Sequence, residues 1–270
     1  MNVADRVVAL TGAAGGLGTA LARELAGRGA RLLLVDRDEA ALHALAASLP
    51  VPAHVLALDV TAPDAGARLL AGAHTAHGRL EVLVNNAGLS DFRAFERSEP
   101  ARLRAIVTVN VAAPMLLAHA VLDAMLARDE GWIVNVGSIL GSIGFPYFAA
   151  YSASKFALHG FSQALRRELQ DTGVRVVYVA PRAIRTPMSE TYATMADAVR
   201  MPRDPPADVA RRIADALVRE RPETFLGFPE CAFVRVNALL TGLVDRALRG
   251  QARVMEDFAR AGTSTEDIRP

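Results

Sequence analysis

Lys155 is the only lysine among the 30 basic residues of this 270-residue chain; the other 29 are arginine. It follows Tyr151 by four residues, in Tyr151-Ser152-Ala153-Ser154-Lys155. A chain that meets nearly every need for positive charge with guanidinium makes an exception here. A guanidinium is a rigid planar fork that stays protonated, whereas an ammonium is a compact charge whose three donors can reach three different acceptors. Residues four apart on a helix share a face, so the ammonium can lie near the phenol and favour its phenolate. Tyr151 is therefore a candidate general acid/base. The alternative is a chance pair on an exposed helix.

A second constellation suits phosphate. Thr11-Gly12-Ala13-Ala14-Gly15-Gly16-Leu17-Gly18 stands between a strand pattern and a helix pattern. A chain turning sharply from strand into helix beside a pyrophosphate has little room for Cβ atoms, and the free N–H groups at the helix start attract the anion. Gly12, Gly16 and Gly18 meet that need, although ordinary tight turns use glycine too. Asp36 closes the second strand pattern, where a carboxylate can accept from both adenosine ribose hydroxyls and repel a 2′-phosphate. That favours NAD over NADP. The adjacent Arg37 could pair with such a phosphate, but Ala13, Ala14 and Gly15 supply no second cation. Asp59, after the third strand pattern, can meet the adenine amino group or cap a helix ahead of Pro63. Leu17 and Val60, beside these residues, complete this part of the expected cofactor-binding set.

These groups need a scaffold. Short aliphatic runs recur at Val7–Leu10, Arg31–Val35, His54–Leu58, Leu80–Val84, Trp132–Val136 and Val174–Val179. Between them helices are expected at Gly16–Arg28, Asp38–Ser48, Pro63–His77, Pro100–Arg128, Tyr151–Asp171 and Pro206–Glu220. Runs such as Leu32-Leu33-Leu34-Val35 are apolar on both faces, as strands covered on each side must be. Right-handed crossovers then give a doubly wound parallel sheet, a Rossmann fold in three α/β/α layers. No repeat or linker divides the chain, so residues 1–270 are expected to form one domain. Within it, 188–206 reads as a mobile flap and 229–270 as a C-terminal helical extension. Phe233, Val236, Leu240, Leu243, Val244 and Leu248 recur there at helical spacing. That amphipathic helix could pack on the body or a sister subunit, lie on a membrane surface, or wall a substrate tunnel. The small, polar residues Ala261 to Pro270 are expected to fray.

Composition excludes several function classes. Half the residues are hydrophobic, 51%, and the net charge is +1, so no overall field recruits nucleic acid or anionic membrane. A lone cysteine, Cys231, rules out an intramolecular disulfide and agrees with a reducing, cytoplasmic compartment. Met1 to Leu10 lacks the basic region and long apolar core of a signal peptide. Ala105 to Met125 is apolar but interrupted by Asn110, Pro114, His119 and Asp123, and reads as a buried helix rather than a transmembrane segment.

With these pieces placed, the chain resembles the short-chain dehydrogenase/reductase family in its single-domain form, across roughly residues 5 to 228. The resemblance rests on Thr11-Gly12-x-x-x-Gly16-x-Gly18, Asn85-Asn86-Ala87-Gly88, Asn110, Ser138 and Tyr151-x-x-x-Lys155, in that order. It implies that Tyr151 exchanges a proton with the substrate oxygen while hydride moves to or from the nicotinamide. Lys155 would bind the nicotinamide ribose and, with the oxidised ring, lower the Tyr151 pKa. Ser138 would hold the substrate oxygen, and the Asn110 side chain would bind a water linked to Lys155. Asn110 could otherwise be a polar defect in an apolar helix. Asn86, Ala87 and Gly88 would border the adenosine, with Asn85 structural. Ile184 and Thr186 match positions that contact the nicotinamide carboxamide. Thr11, Tyr151 and Lys155 also belong to the expected cofactor set, and no metal is expected.

One departure stands out. Where the family has Pro-Gly, this chain has Pro181-Arg182. Glycine there could serve flexibility alone, while Arg182 could pair with an acidic substrate group or with the cofactor phosphates. Ile139 to Phe148 offers apolar walls around Ser138, so a hydrophobic secondary alcohol or ketone is the expected substrate, unless several of these side chains are simply core. Family members pair the helices that here carry Asn110 and Tyr151, which implies a homodimer or homotetramer. The competing classes are a catalytically silent NAD(H)-binding sensor or scaffold and, less suited to this length, a nucleotide-sugar epimerase.

Overall fold

The computed structural model describes residues 1–261; of the segment expected to fray, only Ala261 falls among them, at the end of a helix, and the rest lies outside the described residues. Seven strands, β1 Val7–Thr11, β2 Arg31–Asp36, β3 Ala53–Ala57, β4 Val82–Asn85, β5 Gly131–Val136, β6 Val174–Pro181 and β7 Glu223–Leu226, form one sheet in the order β3-β2-β1-β4-β5-β6-β7. Every pairing is parallel. The helices are α1 Gly16–Gly27, α2 Glu39–Ala47, α3 Ala65–His77, α4 Pro100–Val107, α5 Ala113–Leu126, α6 Ala149–Glu168, α7 Pro187–Glu190, α8 Ala193–Ala198, α9 Pro206–Val218, α10 Glu230–Leu239 and α11 Thr241–Ala261.

The doubly apolar strands do what their composition demands. In β2, Leu32 and Leu34 face a core shared with Leu21, Leu42 and Ile213 from α1, α2 and α9. Leu33 and Val35 face the opposite core, with Leu69, Leu117 and Leu165 from α3, α5 and α6. Both faces of the sheet are thus covered, giving the expected three layers in a single domain. Strand order reverses direction between β1 and β4, and the crevice at their carboxyl ends is where such folds take ligands.

Four expectations need correction. β7 is a seventh strand; Glu-Thr-Phe-Leu is too short and too polar at one end to read as a strand until β6 offers it an edge. Pro100–Arg128 is not one regular helix, because a π-helical turn at Thr108–Ala112 widens it around Asn110. Segment 188–206 contains the short helices α7 and α8 rather than only irregular flap, with Met195 buried and Arg203 paired with Glu190 and Asp197. The C-terminal extension is two helices, α10 and α11, broken at Leu240.

By length and composition alone Pro100–Leu126 could cross a membrane. In this fold it lies on the sheet, with Ile106, Leu117, Val121 and Met125 buried, while Val107, Met115 and Leu116 remain exposed.

Candidate active site

A cavity of about 740 Å³ opens at the carboxyl edge of the sheet and runs from Asp36 past the glycine turn to Tyr151. The turn after β1 brings backbone against backbone. Gly12 has φ +65°, and a Cβ there would lie 2.8 Å from the Ala87 Cα; at Gly18 it would lie 2.0 Å from the Gly12 carbonyl oxygen. Neither position admits a side chain. Gly15, just before α1, offers no capping side chain, and the first turn of α1 contains no acid. The positive end of α1 therefore faces the cavity with free N–H groups, which fits a dinucleotide pyrophosphate. At one end of the cavity the Asp36 carboxylate is steered by Ala14 N–H at 3.1 Å and Arg37 N–H at 2.8 Å.

Gly12, Gly16, Leu17, Gly18, Asp36, Arg37, Asp59, Val60, Asn86, Ala87, Gly88, Ile184 and Thr186 all line this cavity, as do Ser138, Tyr151 and Lys155. Thr11 does not. It is buried, and its hydroxyl donates to the Val84 carbonyl while accepting from the N–H groups of Asn86 and Ala87 at 3.0 and 3.1 Å, so it ties β1 to the turn after β4. The Asp59 carboxylate accepts from the N–H and hydroxyl of Thr61, which hold its pKa down. It closes a local turn instead of capping α3. Asn85 is structural, donating to Asn135 Oδ1 at 2.9 Å; Asn135 in turn donates to Ser162.

At the other end, β5 delivers Ser138 and α6 delivers Tyr151 and Lys155 on one face. Ser138 caps the short 3₁₀ turn Ile139–Gly141 by accepting from Leu140 N–H, and its hydroxyl hydrogen-bonds the Tyr151 phenol. Lys155 is 5% exposed, and its Nζ donates to the Val136 carbonyl at 3.0 Å and lies 5.8 Å from the Tyr151 ring centroid. Burial pulls the ammonium down from 10.5 to about 8. Burial also pushes the Tyr151 phenol above its ordinary value, with the Ser138 hydrogen bond opposing. In the protein alone the Tyr151 shift is thus set by burial against the Ser138 hydrogen bond, and the expected lowering by Lys155 does not enter it.

Asn110 is completely buried beside this pair and does not line the cavity. Its Nδ2 donates to the Leu89 carbonyl and to Ser154 Oγ, while its Oδ1 accepts from Leu89 N–H at 2.8 Å. Both donors are used, and one Oδ1 lone pair remains for a water.

Arg182 lines the same cavity. Its guanidinium meets Asp204 at 2.6 Å and donates to the Phe228 carbonyl at 3.1 Å, and the residue does not adopt a positive φ. It ties the turn after β6 to the flap and to the start of the extension.

Two functional neighbours escaped the motifs. Tyr178 in β6 is wholly buried under the catalytic loop, where its hydroxyl meets the Ser138 backbone and its ring fills space left by Gly137 and Gly141. Tyr192, at the end of the α7 turn, packs at 5.2 Å on Phe148 and lines the cavity. Met195, Met255 and Phe258 join Phe92, Phe148, Tyr151 and Tyr192 in one cluster, so α11 packs behind the Tyr151 end of the cavity. The glycines 137 and 141 hinted at a large ring nearby; nothing local indicated Tyr192 or α11.

A dinucleotide-binding fold whose cavity ends on a serine, a phenol and an ammonium defines an oxidoreductase. A family model described as short chain dehydrogenase matches residues 6–197, and the chain belongs to that family. Dehydrogenase/reductase SDR family member 7B of Bos taurus is 32% identical over 269 residues, spanning 93% of this chain and 82% of that one. The 3-oxoacyl-[acyl-carrier-protein] reductase FabG of Escherichia coli is 31% identical over 241 residues, spanning 88% and 96%. A short chain dehydrogenase from Burkholderia cenocepacia in complex with NADP superposes with TM-score 0.79 at 27% identity, over 92% of this chain and 99% of that one. One from Burkholderia phymatum in complex with NAD gives 0.83 over 90% and 96%, at 24% identity a likeness of fold alone.

Proposed function

We propose that the protein is an NAD-linked dehydrogenase/reductase of hydrophobic secondary alcohols or ketones, with Tyr151 as its general acid/base. The observation that carries this reading is the convergence of Ser138, Tyr151 and Lys155 at the apolar end of the cavity whose other end holds Asp36 and the glycine turn. The bound nicotinamide supplies or accepts the hydride. Ser138 positions the substrate oxygen, and Tyr151 gives its proton to the oxygen in reduction or takes one in oxidation. Lys155 holds the ribose side of the cofactor and, beside a positive ring, stabilises phenolate. Asn110 with its remaining lone pair steadies a water that resupplies the proton through Lys155. Asp36 supports NAD as the preferred nucleotide, and the aromatic and methionine lining around Tyr192 supports a bulky apolar substrate. Exposed Val107, Met115, Leu116 and Phe156 support pairing of α4–α6 in a homodimer or homotetramer. The lone Cys231 supports a reducing, cytoplasmic location.

Nicotinamide absorbance with a panel of hydrophobic alcohols and ketones tests this reading in wild type and Tyr151→Phe. The variant should bind cofactor and lose at least about a hundredfold in kcat, since it lacks only the transferable proton. Undiminished turnover would remove Tyr151 from its role; tight cofactor binding with no turnover in wild type would favour a silent nucleotide sensor.

A further inference from the structure

The C-terminal extension has an outer surface that catalysis does not use. Its inner stripe is satisfied: Val244 and Leu248 pack against Ile139 and Ile143, and Met255 reaches the cluster around Tyr151. Outside, at the elbow where α10 meets α11, Leu239 is 83% exposed. Leu240 and Leu243, at the same elbow, are exposed too. At about 100° per residue, Leu243, Ala247 and Val254 fall along one flank of α11, with Arg246, Arg249 and Arg253 along the neighbouring flank. Arg260 is paired with Glu96 and Glu256, whereas Arg235, Arg246, Arg249 and Arg253 form no ion pair among the described residues. Between 231 and 255 the only acid is Asp245, while Glu256 and Asp257 follow in the last turns of α11. The net charge of +1 conceals this local segregation.

We propose that the elbow of α10 and α11 docks on a bilayer carrying anionic headgroups. The leucines would enter the headgroup–acyl boundary while the arginine row meets the lipid phosphates, the arrangement expected of an interfacial amphipathic helix. Charge complementarity selects this occupant over a second copy of the chain. A two-fold contact through the same surface would set the arginine rows of the two copies together with few acids between them. The helix that faces the bilayer would then carry, on its inner side, Met255, which packs in the cluster around Tyr151. The surface itself does not depend on the catalytic reading.

The test is co-sedimentation of the full chain with phosphatidylcholine vesicles, with and without phosphatidylglycerol, across a salt series. Wild type should bind the phosphatidylglycerol vesicles selectively and release with salt. Arg246→Gln/Arg249→Gln/Arg253→Gln should weaken binding about a hundredfold, since each arginine near an anionic surface is worth about fivefold. Leu239→Gln/Leu240→Gln/Leu243→Gln should weaken it at least about tenfold. All six positions are exposed, so thermal unfolding should match wild type; if the leucine variant fails to fold, the arginine variant and the wild-type salt series decide. Equal binding to both vesicle types, no binding, or binding indifferent to the arginine variant overturns the proposal. So does concentration-dependent self-association that the leucine variant abolishes without any vesicle binding, which would make a second copy the occupant.

Discussion

Replacing the lone lysine by an uncharged residue of similar reach should make the cofactor-free protein more stable while destroying its activity. Burial lowers the Lys155 pKa from 10.5 to about 8, which at about 1.4 kcal/mol per tenfold change in proton affinity means that charging this site costs the fold about 3 kcal/mol. The side chain is nearly inaccessible, so solvent screening reduces that figure little. Below about pH 8 both folded and unfolded chains hold the proton and the penalty is complete. Between about 8 and 10.5 the unfolded chain binds the proton more tightly, and folding stability rises with pH until the penalty disappears. Lys155→Met removes the charge but leaves the Val136 carbonyl without its donor, a loss of about 1 kcal/mol. The net expectation near pH 7 is a gain of about 2 kcal/mol, shrinking through zero toward about pH 10. Urea unfolding of the cofactor-free wild type and variant at both pH values measures it, with turnover as the control for function. A variant no more stable than wild type near neutrality, or an advantage independent of pH, would refute the argument that burial sets the Lys155 proton affinity.

Other consequences follow from the same contacts. Asp36→Ala should weaken NAD and narrow its advantage over NADP, read from KM for each; an unchanged preference would move selection to Arg37 or another contact. Arg182→Gly removes one partner of a partly buried pair with Asp204 and should cost about 1–3 kcal/mol in chemical denaturation, with faster proteolysis in 188–206. Met255→Ala should cost about 2–4 kcal/mol by leaving a cavity beside Phe148 and Tyr192, and should raise KM for bulky substrates more than it lowers kcat.

Most strands and the cluster of Ser138, Tyr151 and Lys155 were legible because each rests on local chemistry. Doubly apolar runs such as 32–35 can only be buried strands, glycine at 12 and 18 is demanded by backbone approach within one turn, and Tyr151 and Lys155 share a face through helical spacing alone. The sequence thus determined six of the seven strands, the glycine turn and the placing of Tyr151 and Lys155 on one helix face. Tertiary structure decided what depends on partners distant in the chain. β7 exists because β6 offers an edge, Tyr178 supports Ser138 from 40 residues away, and Arg182 finds Asp204 and Phe228 only after the chain has turned twice. It likewise decided that burial, rather than the neighbouring ammonium, governs the Tyr151 phenol, and that α11 packs one flank on the cluster around Tyr151 and leaves another exposed. Desolvation and packing belong to the whole fold, and no spacing rule in a single segment contains them.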